Sequence, residues 1–143
     1  MQGTFSTLTP RMRLSPGGWP LHVDEEILYQ PSLECYEALN QDDMNYVLQQ
    51  GGILVPAGFT TDLASVPRLF WRVFPPFGTY SLAAIVHDYL YSEISTYDIE
   101  RSTADRIFRD AMITLGVGRI TRNILYNAVR HGGWIPWSRQ RGK

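Results

Sequence analysis

Apolar positions change period about halfway along the chain. In the first half they fall in short runs, at residues 19–23, 27–29 and 35–39, after a start punctuated by Pro10, Pro16, Gly17, Gly18 and Pro20. Runs of that length bounded by turn formers predict strands. Residues 46–48 and 53–55 flank Gln49, Gln50, Gly51 and Gly52, a spacing that predicts a hairpin. From residue 80 onward the period becomes helical. Leu82, Ala83, Ile85, Val86, Tyr89 and Leu90 are apolar almost all round, which predicts a buried helix from about residue 80 to 93. Ala104, Ile107, Phe108, Ala111, Met112 and Leu115 recur on one face of a second helix, ending at Gly116 and Gly118. A third runs from about residue 119 to 131, with Ile120, Ile124, Leu125, Ala128 and Val129 inward and a stop at Gly132 and Gly133. Residues 56–78, rich in Pro, Gly, Phe and Trp, read as a long ordered loop covering the 80–93 helix, and loops of that length in a compact domain are usually functional. The expectation is an α+β fold, one domain over residues 1–143, with a β-rich N-terminal half packed on three C-terminal helices.

Composition adds limits. The chain has 143 residues, 44% of them hydrophobic, with 6 Phe, 8 Tyr and 4 Trp, enough for a core without metals or disulfides. Its single cysteine, Cys35, forms no internal bridge and reads as a small core hydrophobe. No stretch approaches the roughly 20 apolar residues of a membrane span, and the first residues lack the apolar core of a signal peptide. The net charge of -1 conceals a split, because residues 1–100 carry 12 acidic and 4 basic side chains whereas residues 101–143 carry 2 acidic and 9 basic ones. Mutual neutralisation of the two halves across one fold is favoured over a nucleic-acid surface.

The chemistry concentrates at His87 and Asp88 in the helix that otherwise reads as buried. Imidazole and carboxylate are costly to bury without partners. Neighbours on a helix point about 100° apart, so each of the two needs its own partner. Asp105, eighteen residues after His87 on the next helix, is placed to accept from one imidazole nitrogen. The other nitrogen then takes a proton from water, which makes His87 a general base. Two structural readings compete: residues 102–105 spell a capping box, and Arg101 lies four residues before Asp105, the spacing of a helical ion pair.

The run His87-Asp88-x-x-Tyr91, followed by Asp105 and Phe108, resembles the catalytic helices of secreted and prokaryotic phospholipases A2 over residues 83–112. That resemblance implies His87 as base, Asp105 as the carboxylate that orients it, Tyr91 as a supporting hydrogen-bonder and Asp88 as a calcium ligand. A second resemblance covers most of the chain. Residues 55–59 (Val-Pro-Ala-Gly-Phe), 61–68 (Thr-Asp-Leu-Ala-Ser-Val-Pro-Arg), 87–91 (His-Asp-Tyr-Leu-Tyr), Arg101, Ala104-Asp105 and Ala128-Val129-Arg130 are similar to an uncharacterised family of small proteins of tailed phages and prophages. It implies a viral or prophage origin, synthesis in the host cytoplasm and a possible place in the virion.

These motifs draw Asp62, Ser65 and Arg68 into the candidate site, Asp62 as a second carboxylate for a cation or substrate and Ser65 and Arg68 in support with Arg101. Asp62-x-x-Ser65 reads equally as a turn or helix cap. Trp134, Trp137 and Arg139 form a segment suited to docking on a partner, since Trp and Arg dominate binding hot spots. Two functions follow. One is a phage-encoded, calcium-dependent ester hydrolase acting on lipid or cell envelope. The other is a virion or tail accessory protein in which the same groups fix helix packing. The first expects His87 and Asp105 at the floor of an open cleft, the second expects them sealed.

Overall fold

The computed structural model describes residues 2–73 and 79–141. Strand β1 (Thr4–Phe5), β4 (Ile27–Gln30) and β5 (Ile53–Val55) form one antiparallel sheet in the order β1-β4-β5. A second antiparallel sheet, ordered β2-β3-β6, contains β2 (Met12–Ser15), β3 (Gly18–Val23) and β6 (Thr60–Thr61). Each strand's alternation sets its inner face: Leu21 and Val23 on β3, Ile27 and Tyr29 on β4, and Ile53 and Val55 on β5 are buried. The helices are α1 (Leu33–Ala38), α2 (Gln41–Gln50), α3 (Ser81–Tyr91), α4 (Arg101–Thr114), α5 (Arg119–Gly132) and α6 (Trp134–Arg141), and a 3₁₀ turn spans Arg68–Arg72. The strands lie in the N-terminal half and the larger helices in the C-terminal half, which is the expected α+β arrangement.

The core centres on α3, where every residue from Leu82 to Tyr91 is buried. Helix α4 covers it with the expected stripe of Ala104, Ile107, Phe108, Ala111 and Met112. Cys35 joins this core, and burial first of all pushes its thiol up to about 12. Polar ties connect the halves. Asp110 on α4 accepts the Tyr29 hydroxyl at 2.5 Å, the Ser32 amide at 2.9 Å and the Ser32 hydroxyl at 2.5 Å. Asp43 on α2 accepts the Thr103 hydroxyl and, at 3.1 Å, the Glu100 amide.

Several boundaries differ from the sequence expectation. Residues 35–38 and 46–48 are helical, so the expected hairpin at 46–55 is a helix followed by a strand. Local capping overrides the short apolar runs: Ser32 accepts from the Cys35 amide, Asn40 accepts from the Asp43 amide, and Gly51 ends α2 in the left-handed conformation. Four helices rather than three follow residue 80, because residues 134–141 continue as α6. On α5 only Leu125 and Val129 are buried, while Ile120 is 77% exposed. Helix α4 starts at Arg101, and its N-cap Glu100 makes no side-chain cap, so residues 102–105 form no capping box and Asp105 is released to the interior. The 56–78 segment contains β6 and the 3₁₀ turn, and its residues 74–78 lie outside the described residues.

Two adjacent glycines at the end of α2 make a test. Gly51 has open space around a would-be Cβ, so Gly51→Ala should lose about 1 kcal/mol, the usual penalty of a left-handed non-glycine residue. At Gly52, φ is +115° and a Cβ would lie 2.5 Å from the Tyr29 carbonyl oxygen, so the chain must shift there. Gly52→Ala should therefore lose more than Gly51→Ala in urea denaturation.

Candidate functional site

Helices α3 and α4 bring the imidazole and its carboxylate together. His87 Nε2 lies 2.7 Å from Asp105 Oδ1, and the ring sits between Tyr91 and Phe108 at centroid distances of 4.3 and 4.6 Å. The Tyr91 hydroxyl donates to the same Asp105 oxygen at 2.6 Å. Asp105 Oδ2 takes two guanidinium groups, Arg130 Nη1 at 2.6 Å and Arg101 Nη1 at 3.4 Å. The expected helical ion pair between Arg101 and Asp105 thus forms inside a larger network. Burial alone would raise the Asp105 carboxyl, but the hydrogen bond and charge of His87, with those of Tyr91 and Arg130, outweigh it and hold the group below its ordinary value. An ionised Asp105 accepts only, so Nε2 carries a proton toward it, and in the neutral form of the ring Nδ1 presents a lone pair.

That lone pair meets Ser65. His87 Nδ1 is 3.0 Å from Ser65 Oγ, which completes a chain from hydroxyl to imidazole to carboxylate. Sequence reasoning expected water at this nitrogen, and a side-chain hydroxyl stands there instead. Asp88 points to the same loop from the next position on α3. It accepts the Thr61 hydroxyl on Oδ2 and the Ser65 amide at 3.2 Å on Oδ1. Burial dominates at Asp88 and raises its carboxyl, despite those two donors. His87 and Asp88 do have separate partners, as the helix geometry requires.

His87 and Asp105 are each 0% exposed and Ser65 is 1% exposed, and Ser65 is among the residues that line a cavity. The cavity, about 410 Å³, lies between the 62–67 loop and α6, with Asp62, Ser65 and Pro67 on one wall and Ile135, Pro136 and Arg139 on the other. The imidazole is sealed and does not floor an open cleft. Asp62 is exposed and accepts the Ala64 amide at 3.0 Å. Arg68 is exposed and lies over the Trp71 ring at 4.8 Å. Calcium takes 6–8 oxygens, and among the described residues Asp88, Asp62 and their neighbours form no group able to hold a metal ion.

The remaining residues divide differently from the sequence reading. Trp137 is buried against Tyr91, with ring centroids 5.1 Å apart, so it serves the core, whereas Trp134 stays 57% exposed. Arg101 also donates to the Val129 carbonyl at 3.0 Å and the Arg130 carbonyl at 3.3 Å, closing the end of α5. Two participants escaped the sequence reading of the site: Arg130 and Thr61. Both stand inside the quoted motifs, but nothing in their spacing shows which carboxylate each would meet.

With the geometry in place, comparison decides the kinship. A family model described as "Protein of unknown function (DUF1353)" matches residues 40–129, more than half of the chain. The chain belongs to the DUF1353 family. No curated protein and no solved structure matches it. The DUF1353 region holds Ser65, His87 and Asp105, together with Thr61, Asp88, Arg101 and Tyr91. Arg130 and the α6 wall of the cavity follow it in sequence.

The two carboxylates should differ in how strongly they respond to substitution. Asp105→Asn puts an amide donor or a neutral acceptor against two guanidinium groups and should lose about 3–5 kcal/mol near pH 7. Because the folded carboxyl lies below its ordinary value, its stabilisation is present above the unfolded carboxyl range and disappears as pH falls through the folded value. The difference between wild type and Asp105→Asn in chemical denaturation should thus narrow below about pH 4. Asp88→Asn removes a charge that burial disfavours and keeps an acceptor for the Ser65 amide, so its cost should stay within about 1 kcal/mol.

Proposed function

We propose that this protein is a hydrolase of acyl esters in which Ser65 is the nucleophile, His87 the base and Asp105 the carboxylate that orients the base. The observation that carries the reading is the Ser65–His87–Asp105 chain, with contacts of 3.0 and 2.7 Å and with Ser65 among the residues that line a cavity. The Ser65 Oγ proton passes to His87 Nδ1 as Oγ bonds to the ester carbonyl carbon. The ester C–O bond then breaks, and the leaving alkoxide takes the proton from Nδ1. Water attacks the acyl-Ser65 carbonyl, gives one proton to Nδ1, and releases the acid as Ser65 Oγ recovers that proton. Asp105 keeps the Nε2 proton throughout, and Tyr91 and Arg130 keep Asp105 in place.

The His87, Asp105 and Tyr91 contacts are those that the phospholipase A2 resemblance implies, which supports an ester of lipid or cell envelope as substrate. The motif resemblance supports a phage or prophage source. Calcium enters no step of this scheme. The complete burial of His87 and Asp105 favours a second reading, a virion or tail accessory protein whose network only fixes helix packing.

The deciding experiment is reaction of the full chain with a fluorophosphonate and with p-nitrophenyl butyrate. The hydrolase reading expects the mass of one phosphonyl adduct on Ser65, and ester turnover reduced about 10³-fold or more in Ser65→Ala and His87→Gln. No adduct and no turnover from folded protein would leave the accessory reading, and purified virions should then contain the chain.

A further inference from the structure

We propose that the cavity beside Ser65 is a subsite for a zwitterionic ligand, with Asp62 taking its cationic group and Arg139 its anionic group. This deepens the hydrolase reading and rests on it for the reaction, though not for the binding.

The two walls differ in charge. Asp62 stands on the loop wall with Ser65, and Arg139 stands on the α6 wall. Both side chains are exposed, and among the described residues they form no ion pair with each other. Asp62 Oδ1 accepts the Ala64 amide, which fixes the carboxylate and leaves its other oxygen for a ligand. Arg139 presents a guanidinium whose planar donors suit a carboxylate or phosphate. A ligand with one charge meets an attractive wall and a repulsive wall in the same cavity. A ligand with both charges meets two attractive ones, so the pairing selects a zwitterion by penalising its singly charged analogues.

The rest of the lining sets size and orientation. About 410 Å³ falls in the lower part of the range of small-molecule sites. Pro67, Ile135 and Pro136 add apolar lining to the charged groups, suited to the hydrocarbon part of a ligand. Ser65 lines the same cavity, so a ligand held at both charges lies beside the residue that carries the hydroxyl. The class that fits is a small amino-acid-like ester, with ammonium and carboxylate or phosphate on one short skeleton.

Four acetyl esters of matched size separate the possibilities: O-acetyl-L-homoserine (zwitterion), 4-acetoxybutanoate (anion), 3-acetoxypropylammonium (cation) and butyl acetate (neutral). Their binding to Ser65→Ala is measured by calorimetry, and acetate release by the wild type is measured in parallel. The zwitterion should bind Ser65→Ala about tenfold or more tightly than the neutral ester. The preference should fall about tenfold when Arg139→Gln or Asp62→Asn is added, with Arg139→Gln weakening the anion and Asp62→Asn the cation. Equal affinity for the four esters, or a preference that survives both substitutions, overturns the subsite. Acetate release at equal rates from all four overturns it too and leaves the hydrolase standing. Charge-selective binding without acetate release from any ester upholds the subsite and overturns the hydrolase.

Discussion

The buried carboxylate of Asp105 is the interaction on which the rest of the site depends. It collects donors from three helices: His87 and Tyr91 on α3, Arg101 on its own helix, and Arg130 on α5. A buried carboxylate with fewer partners would be expensive, and this one is tolerable because both oxygens are filled and two of the donors are cationic. Placement of the outer helices follows from it. Arg101 reaches past Asp105 to the last carbonyls of α5, and Gly133 sits at that junction. A Cβ on Gly133 would lie 2.3 Å from the Val129 carbonyl oxygen and 2.5 Å from the Tyr91 hydroxyl, so only glycine lets the end of α5 approach the network. Helix α6 starts there and seats Trp137 on Tyr91, and that position makes α6 the second wall of the cavity.

The loop that carries Ser65 is ordered by a different device. Its amides are taken by side-chain oxygens rather than by a sheet: Leu63 by Thr61, Ala64 by Asp62, and Ser65 by Asp88. Leu63 adopts φ 56°, a left-handed conformation that costs a non-glycine residue about 1–2 kcal/mol and persists where the surroundings fix it. Its side chain is 1% exposed, so apolar burial offsets the strain. The turn that results aims the Ser65 hydroxyl at His87 while its amide faces Asp88.

Much of this was legible from residue types and spacing. The all-apolar run around His87 gave α3, the 3.6 period gave α4, and the eighteen-residue gap led to the His87–Asp105 pair, because helical geometry ties sequence distance to facing positions. The N-terminal boundaries were less legible. Cys35 and Tyr46 stand in apolar runs too short to separate strand from helix, and the caps at Ser32 and Asn40 decide them. Ile120 shows the limit of periodicity, since a continuous apolar face on α5 does not reveal how far the neighbouring helices extend over it. The partner of His87 Nδ1 depended on tertiary structure altogether. Residues 65 and 87 are joined by a chain whose path no local pattern specifies, and the roles of Ser65, Thr61 and Arg130 emerge only once α3 is packed.

Asp88 and Asp105 are buried carboxylates in the same small region, yet their surroundings push them in opposite directions. Asp105 has two guanidinium groups and an imidazole, which favour the ion. Asp88 has a hydroxyl and one amide, and burial prevails. The two anchors of the site therefore differ in strength. The one that fixes His87 among the helices is charge-assisted, and the one that fixes the Ser65 loop relies on neutral donors to a carboxylate that burial disfavours. Displacement of the loop consequently breaks weaker contacts than any motion of the imidazole would. In a site whose base is sealed, the element able to change the exposure of the hydroxyl is then the loop that carries it, while the geometry of the base and its carboxylate stays constant.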